Sequence, residues 1–261
     1  MRKVMSLFIV IGIVAACSVK EERVKCPCKL KIDFSLCRYV DIKDKISIIL
    51  SGEQFHTEQS VPASNYSDDY YTYVPKGTIV VSSISGVITS AVENGEVIIP
   101  LGRDSDSLWA YSDYVEAFGE EALDTLDMSK EYASLTLAAS GGDSETYPYE
   151  IEINGNVNGL SMDGLKPHSG EFRYKPERDE DNTFSVNLPR QIDNSLTVKV
   201  FASQSGDIED VLAIGEYMAK IGYDWSKKNL DDIYIRMDFA REHFTITIRK
   251  WETGELIEMT I

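Results

Sequence analysis

Leu30, Ile32, Phe34 and Leu36 alternate with polar neighbours, the two-residue period of a strand with one buried face. Ile46, Ile48 and Leu50 repeat the pattern, and further strand-like runs cover 78–89, 96–99, 107–111 and 131–138. Ser51-Gly52, Pro75-Lys76-Gly77 and Asn94-Gly95 punctuate them with turn chemistry. Ser140-Gly141-Gly142-Asp143-Ser144 reads as a linker, and the β pattern resumes beyond it over 149–157, 171–174, 183–188 and 195–202. One helix is expected from Ile208 to Ile221, capped by Asp207, with Val211, Ile214, Met218 and Ile221 near one face. Strands over 233–239, 244–251 and 256–261 close the chain, the last two as a hairpin turned at Glu252-Thr253-Gly254. Strands at such spacing without intervening helices fit sandwiches rather than βαβ units. The expectation is an all-β protein of two tandem β-sandwich domains, 29–145 and 146–261, with one short helix in the second.

The first residues follow a different pattern. Arg2 and Lys3 precede an apolar run from Val4 to Ala16, with Ser6 and Gly12 its only weakly polar members, too short for a spanning helix, which needs roughly 20 residues. The run is expected to be a secretory signal peptide over 1–16. It ends Val14-Ala15-Ala16-Cys17, the small-residue pattern of a bacterial lipobox, so Cys17 is the expected lipid-attachment residue at the head of a tether over 17–28. Several acyl chains at about 0.8 kcal/mol per buried CH₂ make a durable anchor. Lys20, Glu21 and Glu22, close behind it, resemble the surface-export signal of Bacteroidetes lipoproteins, which places the expected location on the outer membrane, facing outward. Losing Arg2 and Lys3 takes the formal charge from −17 to −19.

With 26 basic against 43 acidic residues, the chain does not fit nucleic-acid binding or attachment to an anionic membrane through a basic face. Export is compatible with disulfides. Cys26, Cys28 and Cys37 are the candidates; Cys26 and Cys28 are too close for an easy mutual bridge, which leaves Cys37 paired with one of them. A zinc site from these thiols and His56 is the alternative, without the paired C-x₂-C spacing. No cofactor or metal is expected.

Several segments read in order resemble one family. They are Cys26-Pro27-Cys28-Lys29-Leu30-Lys31-Ile32-Asp33-Phe34-Ser35, Val74-Pro75-Lys76-Gly77, Leu108-Trp109-Ala110-Tyr111-Ser112 and Gly155-Asn156-Val157-Asn158-Gly159-Leu160. Gly222-Tyr223-Asp224-Trp225-Ser226, Leu230-Asp231-Asp232-Ile233 and Met237-Asp238-Phe239-Ala240 complete the set. Together they resemble the FimB-type fimbrial anchor lipoproteins of Bacteroidetes. The resemblance implies two tandem transthyretin-like Greek-key β-sandwich domains and a place at the base of a fimbria or as an accessory subunit. It further implies joining fimbrial subunits by strand addition, in which a strand of one subunit completes the sheet of another. Cys37 departs from the family pattern. Fibre-forming relatives lose their first strand after a basic residue, and Arg23, Lys25 and Arg38 offer such sites here. The strand from Leu30 to Leu36 is nevertheless expected to stay, because an anchor must keep its lipid joined to its fold. The chain is also expected to end within its final hairpin, without a spare arm to donate.

Catalysis finds little support. His56, His168 and His243 sit in no nucleophile motif, and no Gly-Xaa-Ser-Xaa-Gly elbow, P-loop or His-Glu-Xaa-Xaa-His is present. Tyr66-Ser67-Asp68-Asp69-Tyr70-Tyr71-Thr72-Tyr73 is the most unusual segment. Its tyrosines read first as a strand edge packed on the sandwich; exposed, Tyr70, Tyr71 and Tyr73 would instead face a glycan or a host surface. Arg103-Asp104-Ser105-Asp106 reads as a polar turn, and Trp109, Trp225 and Trp251 as core residues. Asp106-Ser107-Leu108 and Asp124-Thr125-Leu126 match a short O-glycosylation pattern. The leading expectation is a fimbrial anchor or accessory subunit; the alternative is a lipid-anchored glycan-binding or adhesin module.

Overall fold

A computed structural model describes residues 26–37, 45–62, 70–140, 149–179, 181, 183–203, 205–238 and 243–260. The first half supplies β1 (Cys28–Asp33), β2 (Lys45–Gly52), β3 (Phe55–Pro62), β4 (Tyr71–Val74), β5 (Thr78–Ser85), β6 (Ala91–Glu93), β7 (Glu96–Ile98), β8 (Trp109–Glu116), β9 (Glu121–Thr125) and β10 (Ser129–Lys130). The second supplies β11 (Tyr132–Ser140), β12 (Tyr149–Ser161), β13 (Lys166–Tyr174), β14 (Thr183–Pro189), β15 (Thr197–Ala202) and β16 (Ile208–Leu212). A single short helix, α1 (Ile214–Lys220), then precedes β17 (Asp232–Asp238), β18 (His243–Arg249) and β19 (Leu256–Thr260). The protein is all-β, two β-sandwiches in tandem.

In the first sandwich, a β4–β1–β9 sheet faces a β10–β8–β5–β2–β3 sheet. Alternation turns Cys28, Leu30 and Ile32 of β1 inward, where they are fully buried with Ile46, Ile48 and Leu50 of β2. The second sandwich packs β14–β11–β17–β18–β19 against β16–β15–β12–β7–β6, with β13 also on β12. Its core takes Leu135 and Leu137, Ile151 and Ile153, Val198 and Val200, and Ile233, Ile235 and Met237 from alternating positions.

A third apolar cluster joins the two. Ile49 of β2 points away from its neighbours Ile48 and Leu50, and with Ile84 and Ala110 it meets Val97, Leu160 and Met162 from the second sandwich. The second β-sheet is therefore buried on both faces at this end, which explains why Ile48-Ile49-Leu50 reads as a continuous apolar run. Gly159 permits the close approach: a Cβ there would lie 2.1 Å from the Val97 carbonyl oxygen.

Three expectations change. The 131–138 run, allotted to the first domain, is the interior strand β11 of the second sandwich, pairing antiparallel with β14 and parallel with β17. Sheet membership switches at Glu131, where β10 runs almost directly into β11; the expected linker lies, beyond Ser140, outside the described residues, and β11 and β12 on either side of it belong to the same sandwich. Conversely, the β6–β7 hairpin of the first half pairs with β12. The helix is also shorter than expected. Residues 208–212 are drawn into pairing with β15, Asp207 caps nothing, and α1 starts after Ala213 without a side-chain cap.

Candidate functional site

Strand addition needs an open sheet edge, and the end strands of this protein differ in how far their edges are covered. The end strands β3 and β4 of the two sheets are linked through side chains only, where Gln59 donates to the Thr72 hydroxyl (2.9 Å) and accepts from the Tyr70 hydroxyl (2.7 Å). The outer edge of β14 is covered by the 103–107 loop: Asn187 N–H donates to Asp104 (2.8 Å), and Ser105 N–H donates to the Asn187 carbonyl (3.3 Å). Asp106 holds that loop in turn, accepting from the N–H groups of Ile88, Thr89 and Ser90 and from the Thr89 hydroxyl at 2.8–3.0 Å. Burial alone would raise the Asp106 carboxyl, yet the Ile88, Ser90 and Thr89 N–H groups together hold it below its ordinary range. The Arg103–Asp106 stretch is thus a structural latch.

β19 is different. It ends its sheet, its inward Ile257 and Met259 are only half-buried, and Leu256 is exposed. Inward residues of a strand with neighbours on both sides are covered, as Ile246 and Ile248 of β18 are. Ile257 and Met259 of β19 are thus less covered than Ile246 and Ile248 of the neighbouring strand.

β1 is enclosed between two partners, antiparallel to β4 and parallel to β9. It is shorter than the expected Leu30–Leu36 strand, because Asp33 accepts from Ser35 N–H at 2.8 Å and turns the chain. On the outward face of this sheet stand Tyr71 and Tyr73, 48% and 58% exposed, whereas Tyr70 is half-buried with its ring edge-on to Phe34.

The cysteine expectation fails: Cys26, Cys28 and Cys37 are all free thiols. β1 commits Cys28 to the core, while Cys37 donates to the Leu126 carbonyl (3.3 Å) and is pushed up to about 12, first by burial and then by Asp127 and Asp33. His56 pairs with Ser51 across the β2–β3 ladder (3.0 Å), and His168 lies between Asn158 (3.0 Å) and Glu96 (3.5 Å). Among the described residues no group of three His, Cys, Asp or Glu side chains is placed to hold a metal ion. Trp109 is buried and Trp225 packs on the core, but Trp251 is 37% exposed, its ring edge-on to Trp109 at 5.8 Å. Cys17, Lys20, Glu21 and Glu22 lie outside the described residues, as do Tyr66 and its acidic neighbours.

Sequence reading missed a buried ionic junction. Lys130, 1% exposed, donates to Asp232 (2.7 Å) and the Leu230 carbonyl (3.0 Å), under the rings of Tyr132 and Trp251. Glu131, 3% exposed, accepts from Arg190 (2.6 Å) and Ser129 (2.7 Å), and Arg190 also donates to the carbonyls of Trp225, Lys227 and Lys228. Asp231 accepts from Lys227 (2.7 Å), Lys250 (3.4 Å) and Trp251 N–H (2.9 Å). The Leu230-Asp231-Asp232-Ile233 segment is visible as a motif, but Lys130, which meets the Leu230 carbonyl and Asp232, lies 100 and 102 residues away, and no local pattern reveals it.

No family profile matches the sequence, and no curated protein matches it by sequence. Solved structures do match. A Bacteroides thetaiotaomicron protein proposed to bind polysaccharide superposes with a TM-score of 0.64 at 12% identity, covering 90% of this chain and 98% of that one. The fimbrial anchor protein Mfa2 from Porphyromonas gingivalis gives 0.60 at 12% identity, over 89% of this chain and 99% of that one. A proposed adhesin from Bacteroides ovatus gives 0.59 at 10% identity, over 90% and 96%. At such identities the likeness establishes a shared fold over nearly the whole of each chain.

Proposed function

We propose that this protein is a surface lipoprotein serving as an anchor or accessory subunit of fimbriae, held to the outer membrane through Cys17 and joined to the fibre by strand addition. The observation that carries the reading is the contrast between the two edges of one sheet. β14 is covered at Asn187 by the 103–107 loop, while among the described residues no further strand pairs with β19, whose Ile257 and Met259 are half-buried. An incoming strand would extend the ladder there and cover both side chains, the usual currency of β-augmentation. The fold shared with a fimbrial anchor protein supports the same reading, as does the enclosure of β1, which keeps the tether joined to the core. The role is one of assembly rather than catalysis.

The test is a deletion strain complemented with wild type, Cys17→Ala or Ile257→Asp/Met259→Asp, with fimbrial protein quantified on cells and in the medium. Wild type is expected to hold fibres on the cells, and both variants to shed them. Fibres that stay on the cells in every strain would overturn the proposal.

A second reading, a lipid-anchored glycan-binding or adhesin module, is favoured by the exposure of Tyr71 and Tyr73. Binding of purified protein to a glycan array tests it directly.

A further inference from the structure

The outward face of the β4–β1–β9 sheet differs in character from the rest of the chain. Strand register lays two rows across it, Tyr73–Lys29–Glu121 and Tyr71–Lys31–Leu123. The tyrosine rings stand at 83° with centroids 5.8 Å apart, forming a two-walled corner open to solvent. Lys29 Nζ lies 4.2 Å from the Tyr71 ring centroid, which steadies that wall. Both ammonium groups share one carboxylate, Glu121, at 3.0 Å from Lys31 and 4.0 Å from Lys29. Two cations against one anion leave these rows with a surplus positive charge, in a chain whose formal charge is −17. Asp33, one row further along β1, is occupied by the N–H and hydroxyl of Ser35 and by the Thr125 hydroxyl.

Aromatic rings with a polar tip suit the apolar face and hydroxyl rim of a sugar. Ammonium groups beside them give charge-assisted hydrogen bonds to a carboxylate, roughly twice as strong as neutral ones. Repulsion from acids farther than about 10 Å is screened at ordinary salt; Asp33 lies nearer and keeps its charge, so the surplus is confined to the two tyrosine-bearing rows.

We propose that this face binds an acidic polysaccharide, a pyranose ring seated in the Tyr71–Tyr73 corner and a uronate carboxylate on Lys29 and Lys31. The inference rests on the glycan-binding reading and goes further by naming the class of glycan and the residues that select it.

Purified full chain in detergent would be measured on a biosensor against polygalacturonate, dextran and polyglutamate. The variants are Lys29→Gln/Lys31→Gln, Tyr71→Ala/Tyr73→Ala and, as a control on another exposed ring, Tyr114→Ala. Melting followed by circular dichroism checks their folding, and Tyr73→Ala alone replaces the double variant if that melts early. The expected result is salt-sensitive binding of polygalacturonate alone, weakened at least tenfold by the lysine and tyrosine variants and unchanged by Tyr114→Ala. Equal binding of dextran, or full binding by Lys29→Gln/Lys31→Gln, would overturn the acidic assignment while glycan binding survives. Equal binding of polyglutamate would reduce the face to a charge patch and overturn it as well. No binding of any glycan, here or on an array, would remove the glycan reading and this inference together.

Discussion

Replacing Arg190 with alanine tests the ionic junction most directly. Glu131 is 3% exposed and Arg190 11%, so the substitution leaves a buried carboxylate without its cation. Removing one partner of a buried pair typically costs about 3–5 kcal/mol. The carbonyls of Trp225, Lys227 and Lys228 lose a donor too, but these residues reach solvent and water can replace it, so they add little. A loss of about 4 kcal/mol is a large part of the roughly 5–15 kcal/mol that holds a typical protein folded. For a chain of this size it corresponds to a fall in Tm on the order of 8–16 °C. Urea denaturation followed by tryptophan fluorescence would measure it. The double variant Glu131→Gln/Arg190→Met removes the orphan charge while keeping most of the volume, and should recover to within about 2 kcal/mol of wild type. Two outcomes would refute the reasoning: Arg190→Ala within about 1 kcal/mol of wild type, or a double variant no more stable than the single one.

Other sites give independent checks. Burial pushes the Asp104 carboxyl up to about 6 against the N–H groups of Asn187 and Ser105 that lower it. Between about pH 4 and pH 6 the folded state then holds a proton the unfolded state has released, so this group's contribution to stability falls as pH rises through that window. Asp104→Asn keeps the acceptor for Asn187 and should raise Tm at pH 7.5 but not at pH 4; an equal effect at both would contradict the assignment. Gly86 has φ +90, and a Cβ there would lie 2.2 Å from the Ser107 carbonyl oxygen, so Gly86→Ala should cost more than about 2 kcal/mol in a thermal or urea melt. Thiol alkylation followed by peptide mapping should label Cys26 in the folded protein, and Cys28 and Cys37 only in denaturant. A Cys37-containing disulfide peptide would refute the free-thiol arrangement.

Some of this structure was legible in the sequence because some strands carry their own two-residue period. Leu30 and Ile32, Ile46 and Ile48, and Ile233, Ile235 and Met237 alternate strictly, and each set became one inward face. β4, β6 and β10 have two to four residues, too few to establish a period, and β3 carries mostly polar residues because it lies at an edge. The 208–212 segment misled because Ile208, Val211 and Leu212 have helical spacing; pairing with β15 outweighed it, leaving Ile208 and Val211 exposed on an edge strand. At the candidate site, the tyrosines stood out as a cluster, but Lys29, Lys31, Glu121 and Leu123 joined them only through strand register.

By itself the sequence determined the class of the fold, its tandem character and the inward residues of its longer strands, since each follows from local periodicity and turn chemistry. The tertiary structure decided which strands share a sheet, which edges are covered, and which charges meet at the junction. Those depend on partners far away in the chain: Glu131 and Arg190 are 59 residues apart, and Lys130 and Asp232 are 102 apart. An edge likewise is more or less covered according to what folds against it, as β14 and β19 show at the two ends of one sheet.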